Sequence, residues 1–502
     1  MENLQYLISG ISLALEPMNL LFLFGGVSLG TMIGVLPGIG PAGAIALLLP
    51  LTYYVPPLSA VIMIEGIMYG AQYGGSTTSI LVNIPGEPSA VITCIDGYQM
   101  ARKGRAGPAL GIAAFASYIA GTCCLFGLLT IAPPLAELGL SFGPPEHFAL
   151  MAFGLTLVVY LARGSLAKAL MMLGLGIILS SVGLDRFTST LRFTYDRIIL
   201  RDGLGLPQVV IGLFGLAEVL TIVEKAFIHS VYETKIKGLL PTLKDWKDSI
   251  FPIFRGTVIG FFLAVIPGIS VVIPTFISYT VEKRLSKHPE KFGTGTIEGV
   301  AAPEACNNAS SAGNLIPMLT LGIPTGASSA LLLGALMIYG YSPGPLLIKE
   351  SPDIFYGLIG SMYIGNILLV ILNLPLIGIW VRALRIPYDI LFSLIVLFCI
   401  IGSYTINNDM ADIYIMVSFG LVGYLMRKFG YEAVPLILAV VLGPMWENAL
   451  RRSMIIFHGN FLIFFQRPIS AVLLGLALLI LISSLFTKKR VGQDLLKKRA
   501  ED

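Results

Sequence analysis

Chemistry in this chain concentrates in two polar stretches set in apolar sequence. Glu298 to Ala330 holds the carboxylates of Glu298 and Glu304, the amides of Asn307, Asn308 and Asn314, and the hydroxyls of Ser310, Ser311, Thr325, Ser328 and Ser329. Glu65 to Ala90 holds Glu65, Gln72, Ser76, Thr77, Thr78, Ser79 and Asn83, and closes on I-P-G-E-P. Neither stretch contains Lys or Arg. Such a set offers oxygen ligands to a cation and neutral hydrogen bonds to a solute. Glycines at 38, 40, 74, 75, 86, 313 and 326 let backbone approach a ligand closely. Free N–H groups at helix starts would supply partial positive charge to an anion.

Proline interrupts both stretches. Pro303, Pro317 and Pro324 each remove a backbone donor and crowd the preceding turn, so the sequence predicts no continuous helix through Glu298–Ala330. Inside a bilayer, irregular backbone survives only where it is buried in protein or lines a wet cavity. Discontinuous helices of this kind build solute and ion sites in secondary transporters.

The elements that must position these residues are apolar helices. Hydrophobic residues make up 55% of the chain and charged residues 12%, and the mean hydropathy is +0.83. A soluble protein of this length would carry roughly twice that charge. The expected fold is an all-α polytopic membrane protein with about 10–14 transmembrane or re-entrant helices. The net charge of +4 is scattered and suggests no nucleic-acid partner. The five cysteines, at 94, 123, 124, 306 and 399, have no metal-ligand spacing and suggest packing roles.

The pattern occurs twice. L-P-G-I-G at 36–40 answers I-P-G-I-S at 266–270, Glu65-Gly66 answers Glu298-Gly299, and Asn83-Ile84-Pro85 answers Gly322-Ile323-Pro324. Gly107-Pro108 answers Gly344-Pro345, and the prolines at 145 and 207 answer those at 387 and 435, all in the same order. Expected divisions are an interfacial helix over 1–17, a first transmembrane repeat over 18–223, a polar connector over 224–250, a second repeat over 251–465, and a terminal helix with charged tail over 466–502. Short cytoplasmic loops favour basic residues. The basic loops 97–107 and 282–292 each answer a loop poor in Lys and Arg, at 341–353 and 54–59, and Arg382 and Arg385 answer 135–145, which has neither. That alternation predicts inverted repeats, with the two broken segments meeting at the midplane.

Three motifs resemble the large membrane subunit of the tripartite tricarboxylate transporters, TctA type. They are G-V-L-P-G-I-G-P, Y-G-G-S-T-T-S-I-L-V-N-I-P-G-E, and A-P-E-A-C-N-N-A with L-I-P-M-L-T-L-G-I-P-T-G. The resemblance runs from about Gly25 to Gly443. It implies cation-driven uptake of an organic carboxylate in bacteria, with Na⁺ the expected coupling ion and H⁺ the alternative. It also implies a small membrane subunit and a periplasmic solute-binding protein as partners, and a place in the inner membrane with the C-terminal tail in the cytoplasm. The chain departs from the family pattern at Cys306, where alanine is usual, at Asn314 and Thr325, where glycine is common, and in the pair Ser310-Ser311.

On this reading the substrate-binding candidates are Gly38, Gly40, Gly74, Gly75, Ser76, Thr77, Thr78, Asn307, Asn308, Gly313, Asn314, Thr325 and Gly326. The cation-coupling candidates are Glu65, Asn83, Glu298, Glu304 and Ser310. Small polar residues also serve close helix packing, so each has a structural alternative. No organic cofactor or resident metal is expected. An intramembrane enzyme is disfavoured: Tyr195-Asp196 and Tyr388-Asp389 lack a G-x-G-D companion, and H-E-x-x-H and G-x-S-x-G are missing. A carrier or channel working without a binding protein is the other alternative.

Overall fold

A computed structural model describes residues 2–36, 40–52, 55–162, 165–185, 187–225, 238–266, 269, 271–383 and 388–483. The expected charged tail, Gly38, and residues 226–237 of the polar connector lie outside them, as does the I-P-G at 266–268 beyond its first residue.

The described residues are overwhelmingly helical. In order they form α1 (Glu2–Ala14), α2 (Pro17–Val35), α3 (Gly40–Leu48), α4 (Pro57–Val82), α5 (Val91–Arg102), α6 (Ala106–Leu140), α7 (Pro144–Leu161) and α8 (Leu166–Ser180). The short α9 (Leu206–Val210) runs through a wide turn into α10 (Ala217–Lys225), and then follow α11 (Leu243–Ala264), α12 (Val272–Leu285), α13 (Glu298–Leu321) and α14 (Ala327–Ile338). The last set is α15 (Leu347–Glu350), α16 (Pro352–Asn373), α17 (Ile377–Ala383), α18 (Tyr388–Asn407), α19 (Met410–Lys428), α20 (Ala433–Ile456), α21 (Ile463–Gln466) and α22 (Pro468–Ser483). Five of them, α2, α6, α16, α19 and α20, are long and apolar enough to cross a membrane. The expected all-α polytopic membrane fold is the one observed.

The chain divides into two compact units, residues 1–139 with 205–425, and 140–204 with 426–502. The division cuts across the sequence-based domains, because α7 and α8 pack on α20 rather than on their own repeat.

In the first unit, two helix pairs are built alike. α2 and α4 run parallel, joined through α3, and touch backbone to backbone. A Cβ added at Gly26, Gly30 or Gly34 would stand 2.4, 2.4 or 2.2 Å from the carbonyl oxygens of Met63, Ile67 and Ala71. From the other side, Gly70 and Gly74 would meet Val27 O and Thr31 O at 2.4 Å. α11 and α13 are also parallel, joined through α12, and repeat the device: Gly256 and Gly260 would meet Ala302 O and Cys306 O at 2.3 Å. Only glycine permits this approach, the small-residue seam by which helices associate in lipid.

Each pair ends in a matching break. α4 stops at Asn83 (φ 59°) and α13 at Gly322 (φ 71°), both left-handed, as helix ends prefer. A proline follows two residues later, at Pro85 and Pro324, and the chain re-enters helix at α5 and α14. The expected interruption of Glu298–Ala330 is therefore confined to Gly322–Gly326, and the expectation of a break within 298–321 is corrected. α13 continues through Pro303 and Pro317. In both cases the residue four back, whose carbonyl the ring would crowd, is glycine (Gly299 and Gly313), and burial among α4, α5, α11 and α12 holds the helix.

The start of α13 is clasped by α5. Asp96, with no exposed surface, accepts from the backbone N–H of Gly293 (2.9 Å), Gly295 (2.7 Å) and Thr296 (3.0 Å) and from Tyr279 Oη (2.8 Å). All four partners are donors. Asp96→Asn puts an NH₂ donor among them and is expected to cost about 2–4 kcal/mol, measured by denaturant unfolding. Asp96→Asn losing as little as a surface change would show that the clasp is not needed.

The second unit holds a short hairpin, β1 (Gly183–Leu184) antiparallel to β2 (Leu191–Arg192), beside a charge network. Asp185 sits 2.9 Å from Arg451 and 3.7 Å from Arg192, and Glu447 pairs with the same two arginines at 2.7 and 2.8 Å. The backbone N–H of Phe187 above all, then that of Thr188 and the two arginines, hold the Asp185 carboxyl below the usual carboxylate range despite desolvation. A folded-state value below the unfolded one stabilises the fold above the unfolded value and is lost as pH falls through the folded one. Acidification below about pH 4 should therefore destabilise the native chain more steeply than Asp185→Asn, followed by thermal unfolding at stepped pH.

Candidate functional site

The two broken helices meet in the first unit. Ser76 Oγ of α4 donates to Glu304 Oε2 of α13 at 2.7 Å, and Ser311 Oγ donates to Gln72 Oε1 at 2.8 Å. Numbering falls along α4 as it rises along α13, so the corresponding helices of the two repeats run in opposite directions. That antiparallel crossing is the arrangement an inverted repeat requires.

Glu304 is the centre of the crossing. It is 1% exposed, takes a second hydrogen bond from Thr93 Oγ1 of α5, and lines a small cavity with Tyr73, Ser76, Thr77, Ser117 and Asn373. One turn on, Asn307 Nδ2 donates to Glu87 Oε1 at 2.7 Å, and Ser89 Oγ donates to the same atom at 2.5 Å. Glu87 belongs to the first break, so the break of one repeat is tied to the intact helix of the other. The oxygens Asn307 Oδ1, Asn308 Oδ1 and Asn314 Oδ1 are buried without a hydrogen-bond partner. Buried polar atoms are normally paired, and two of these free acceptors, on Asn307 and Asn308, lie about one turn from Glu304.

The structure sorts the sequence candidates. It brings together Ser76, Thr77, Glu304, Asn307 and Asn308. Thr78 is turned to α2, donating to Val35 O at 2.9 Å, and Gly74 lies in the same seam. Ser310 donates to Cys306 O (2.7 Å) and Gly260 O (3.2 Å), and Gly313 would meet Phe261 O at 2.7 Å, so both face α11. Gly75 packs on Gly86 and Glu87 of the first break. Asn83 is exposed and caps α4. Thr325 and Gly326 form the second break, where their N–H groups donate to Ser329 Oγ at 3.0 Å. Gly40, left-handed at φ 64°, opens α3. Glu298 is half-buried at the start of α13 and takes a hydrogen bond from Thr296 Oγ1. Glu65 is fully enclosed in α4, about three turns before Ser76.

Three contributors were not singled out from sequence. Glu87 carried a signal, an acid between glycine and proline inside a break. Thr93 and Ser117 carried none, because only the folded chain brings α5 and α6 to Glu304.

Opposed, broken helices crossing at a buried acidic centre, beside apolar spans of membrane length, define a polytopic membrane protein built around a polar core. The sequence matches the tripartite tricarboxylate transporter TctA family over residues 20–438, and the chain belongs to that family. It is 47% identical over 494 residues to an uncharacterized 52.8 kDa protein in the TAR-I ttuC' 3' region of Agrobacterium vitis, covering 98% of each chain. It is also 50% identical over 235 residues to an uncharacterized protein in the TAR-II ttuC' 3' region of the same organism, covering 47% of this chain and 97% of that one. No solved structure matches the chain. Family membership makes it a multi-pass membrane protein of a transporter system.

Proposed function

We propose that the chain is the permease of a tripartite uptake system, carrying an organic carboxylate across the bacterial inner membrane by cation symport. A small membrane subunit and a periplasmic solute-binding protein complete the system, and the charged tail faces the cytoplasm. The observation that carries this reading is the α4/α13 crossing. It joins Glu87 and Glu304 to unpaired amide oxygens, and it contains no Lys or Arg. An anionic solute entering such a centre meets acceptors of its own sign and needs a cation beside it. Na⁺ suits the oxygen-only ligand set. Asn307, Asn308 and Glu304 would hold the cation, and Ser76 and Thr77 would hold the carboxylate. Alternating exposure then follows from moving one broken pair against the other.

The test is uptake of radiolabelled di- and tricarboxylates into proteoliposomes holding this chain and its small partner subunit. Uptake that requires both a Na⁺ gradient and the binding protein, and falls in Asn308→Ala and Thr77→Ala, is expected. Uptake without a binding protein would favour a stand-alone carrier. No uptake of any carboxylate would overturn the substrate class.

A further inference from the structure

Two separate groups of oxygens near Glu304 lack a hydrogen-bond partner. One is the amide set of Asn307 and Asn308 on α13. The other is Tyr73 Oη on α4 and Asn373 Oδ1 at the end of α16, both residues 4% exposed. This second pair lines the small cavity that Glu304 shares with Ser76, Thr77 and Ser117, and neither Asn307 nor Asn308 lines it. Asn373 Nδ2 is spent on Leu369 O at 2.9 Å, so the amide has only an acceptor left to offer. The cavity's volume of about 10 Å³ has room for one water or one bare monatomic ion, and none for an organic acid.

We infer that this cavity is a second cation site, with Asn373 Oδ1, Tyr73 Oη and Glu304 as its ligands, so that the centre binds two monovalent cations rather than one. Its role in coupling rests on the permease reading, but ion binding itself does not. The ligands are amide, hydroxyl and carboxylate oxygens, the set a hard cation such as Na⁺ takes. Charge supports the count. The four helices that line the cavity, α4, α6, α13 and α16, carry no Lys or Arg. α5, which adds Thr93, has only Arg102, exposed at the helix end. Glu87 and Glu304 are both enclosed here, and an unpaired buried carboxylate is costly. One monovalent cation offsets one of the two. A water in the cavity would satisfy Tyr73 and Asn373 but leave the other carboxylate without a counter-charge.

The second ion adjoins Ser76 and Thr77, where the solute carboxylate is placed, so it is the ion that meets the solute. The cavity fits this ion as the crossing stands, whereas the solute enters only once the crossing opens. Ion binding is therefore the earlier event.

Equilibrium binding of radiolabelled Na⁺ to the purified full-length chain in lipid nanodiscs, with no solute present, tests this. The native chain is expected to bind two ions. Tyr73→Phe and Asn373→Ala should each weaken one of them by about tenfold or more and leave the other nearly unchanged, while Asn308→Ala should weaken that other one. Tyr73→Phe removes only an unpartnered hydroxyl, so it folds even if Asn373→Ala, which loses its bond to Leu369, does not. One ion or none on the native chain, two ions at native affinity in a folded variant of either residue, or loss of both ions together in Tyr73→Phe would overturn the proposal. Failed carboxylate uptake would sink the permease reading and leave this count standing. A single ion weakened by Asn308→Ala would do the reverse.

Discussion

Glu304→Ala is expected to abolish uptake and to destabilise the chain by about 2–5 kcal/mol. The substitution strips the acceptor from two buried hydroxyls, Ser76 Oγ and Thr93 Oγ1, and each unsatisfied group costs about 1–3 kcal/mol. It also removes the contact by which α4, α5 and α13 meet at one atom pair. Glu304→Gln separates structure from charge. It keeps a carbonyl acceptor for one hydroxyl, and the other can turn to accept from its NH₂, so stability should fall by only about 1 kcal/mol. Uptake should still drop by about a hundredfold, because the amide carries neither a negative charge for a cation nor a proton acceptor. Native uptake in Glu304→Gln, assayed beside unfolding of the same preparation, would show that the carboxylate is structural.

Gly86→Ala is expected to be the most damaging small change in either break. Its Cβ would stand 2.4 Å from both Gly34 O and Gly75 Cα, and neither is a side chain that can swing away. The first break must then move outward, taking Glu87 from Asn307. Overpacking of this kind costs about 1–3 kcal/mol. A displacement of about 1 Å at the binding groups should lower uptake by about a hundredfold. Gly326→Ala is the matched control for stability. It sits in the second break with nothing within 4 Å of the added carbon and an extended φ of −164°, so its unfolding should stay within about 0.5 kcal/mol of native. Equal losses of stability in the two variants would contradict the account of the first break.

Much of this was legible before folding, and the misses have physical causes. The repeat was readable because Asn83-Ile84-Pro85 and Gly322-Ile323-Pro324 mark helix ends by chemistry: a residue tolerant of left-handed backbone, then a residue that cannot continue the helix. Ser76, Thr77, Glu304, Asn307 and Asn308 were readable as polar residues too costly to bury without purpose. Pro303 and Pro317 misled, because a proline's cost depends on its neighbours, and here each crowds the carbonyl of a glycine inside a fully enclosed helix. Gly74, Gly313 and Ser310 could not be told from site residues, since a small residue serves a ligand and a neighbouring helix equally well until the partner is known.

The glycine seams have a mechanical consequence. In α2/α4 and in α11/α13, carbonyl oxygens of one helix sit in notches left by missing side chains of the other, over successive turns. Such mated teeth resist sliding, because a shift of less than one turn drives each carbonyl into a neighbouring side chain. Each pair is therefore a stiff beam. The α4/α13 crossing is different: it is held by a few side-chain hydrogen bonds rather than by mated backbone. A working stroke that moved one pair against the other would shear between the beams, through Ser76 and Glu304, rather than within them.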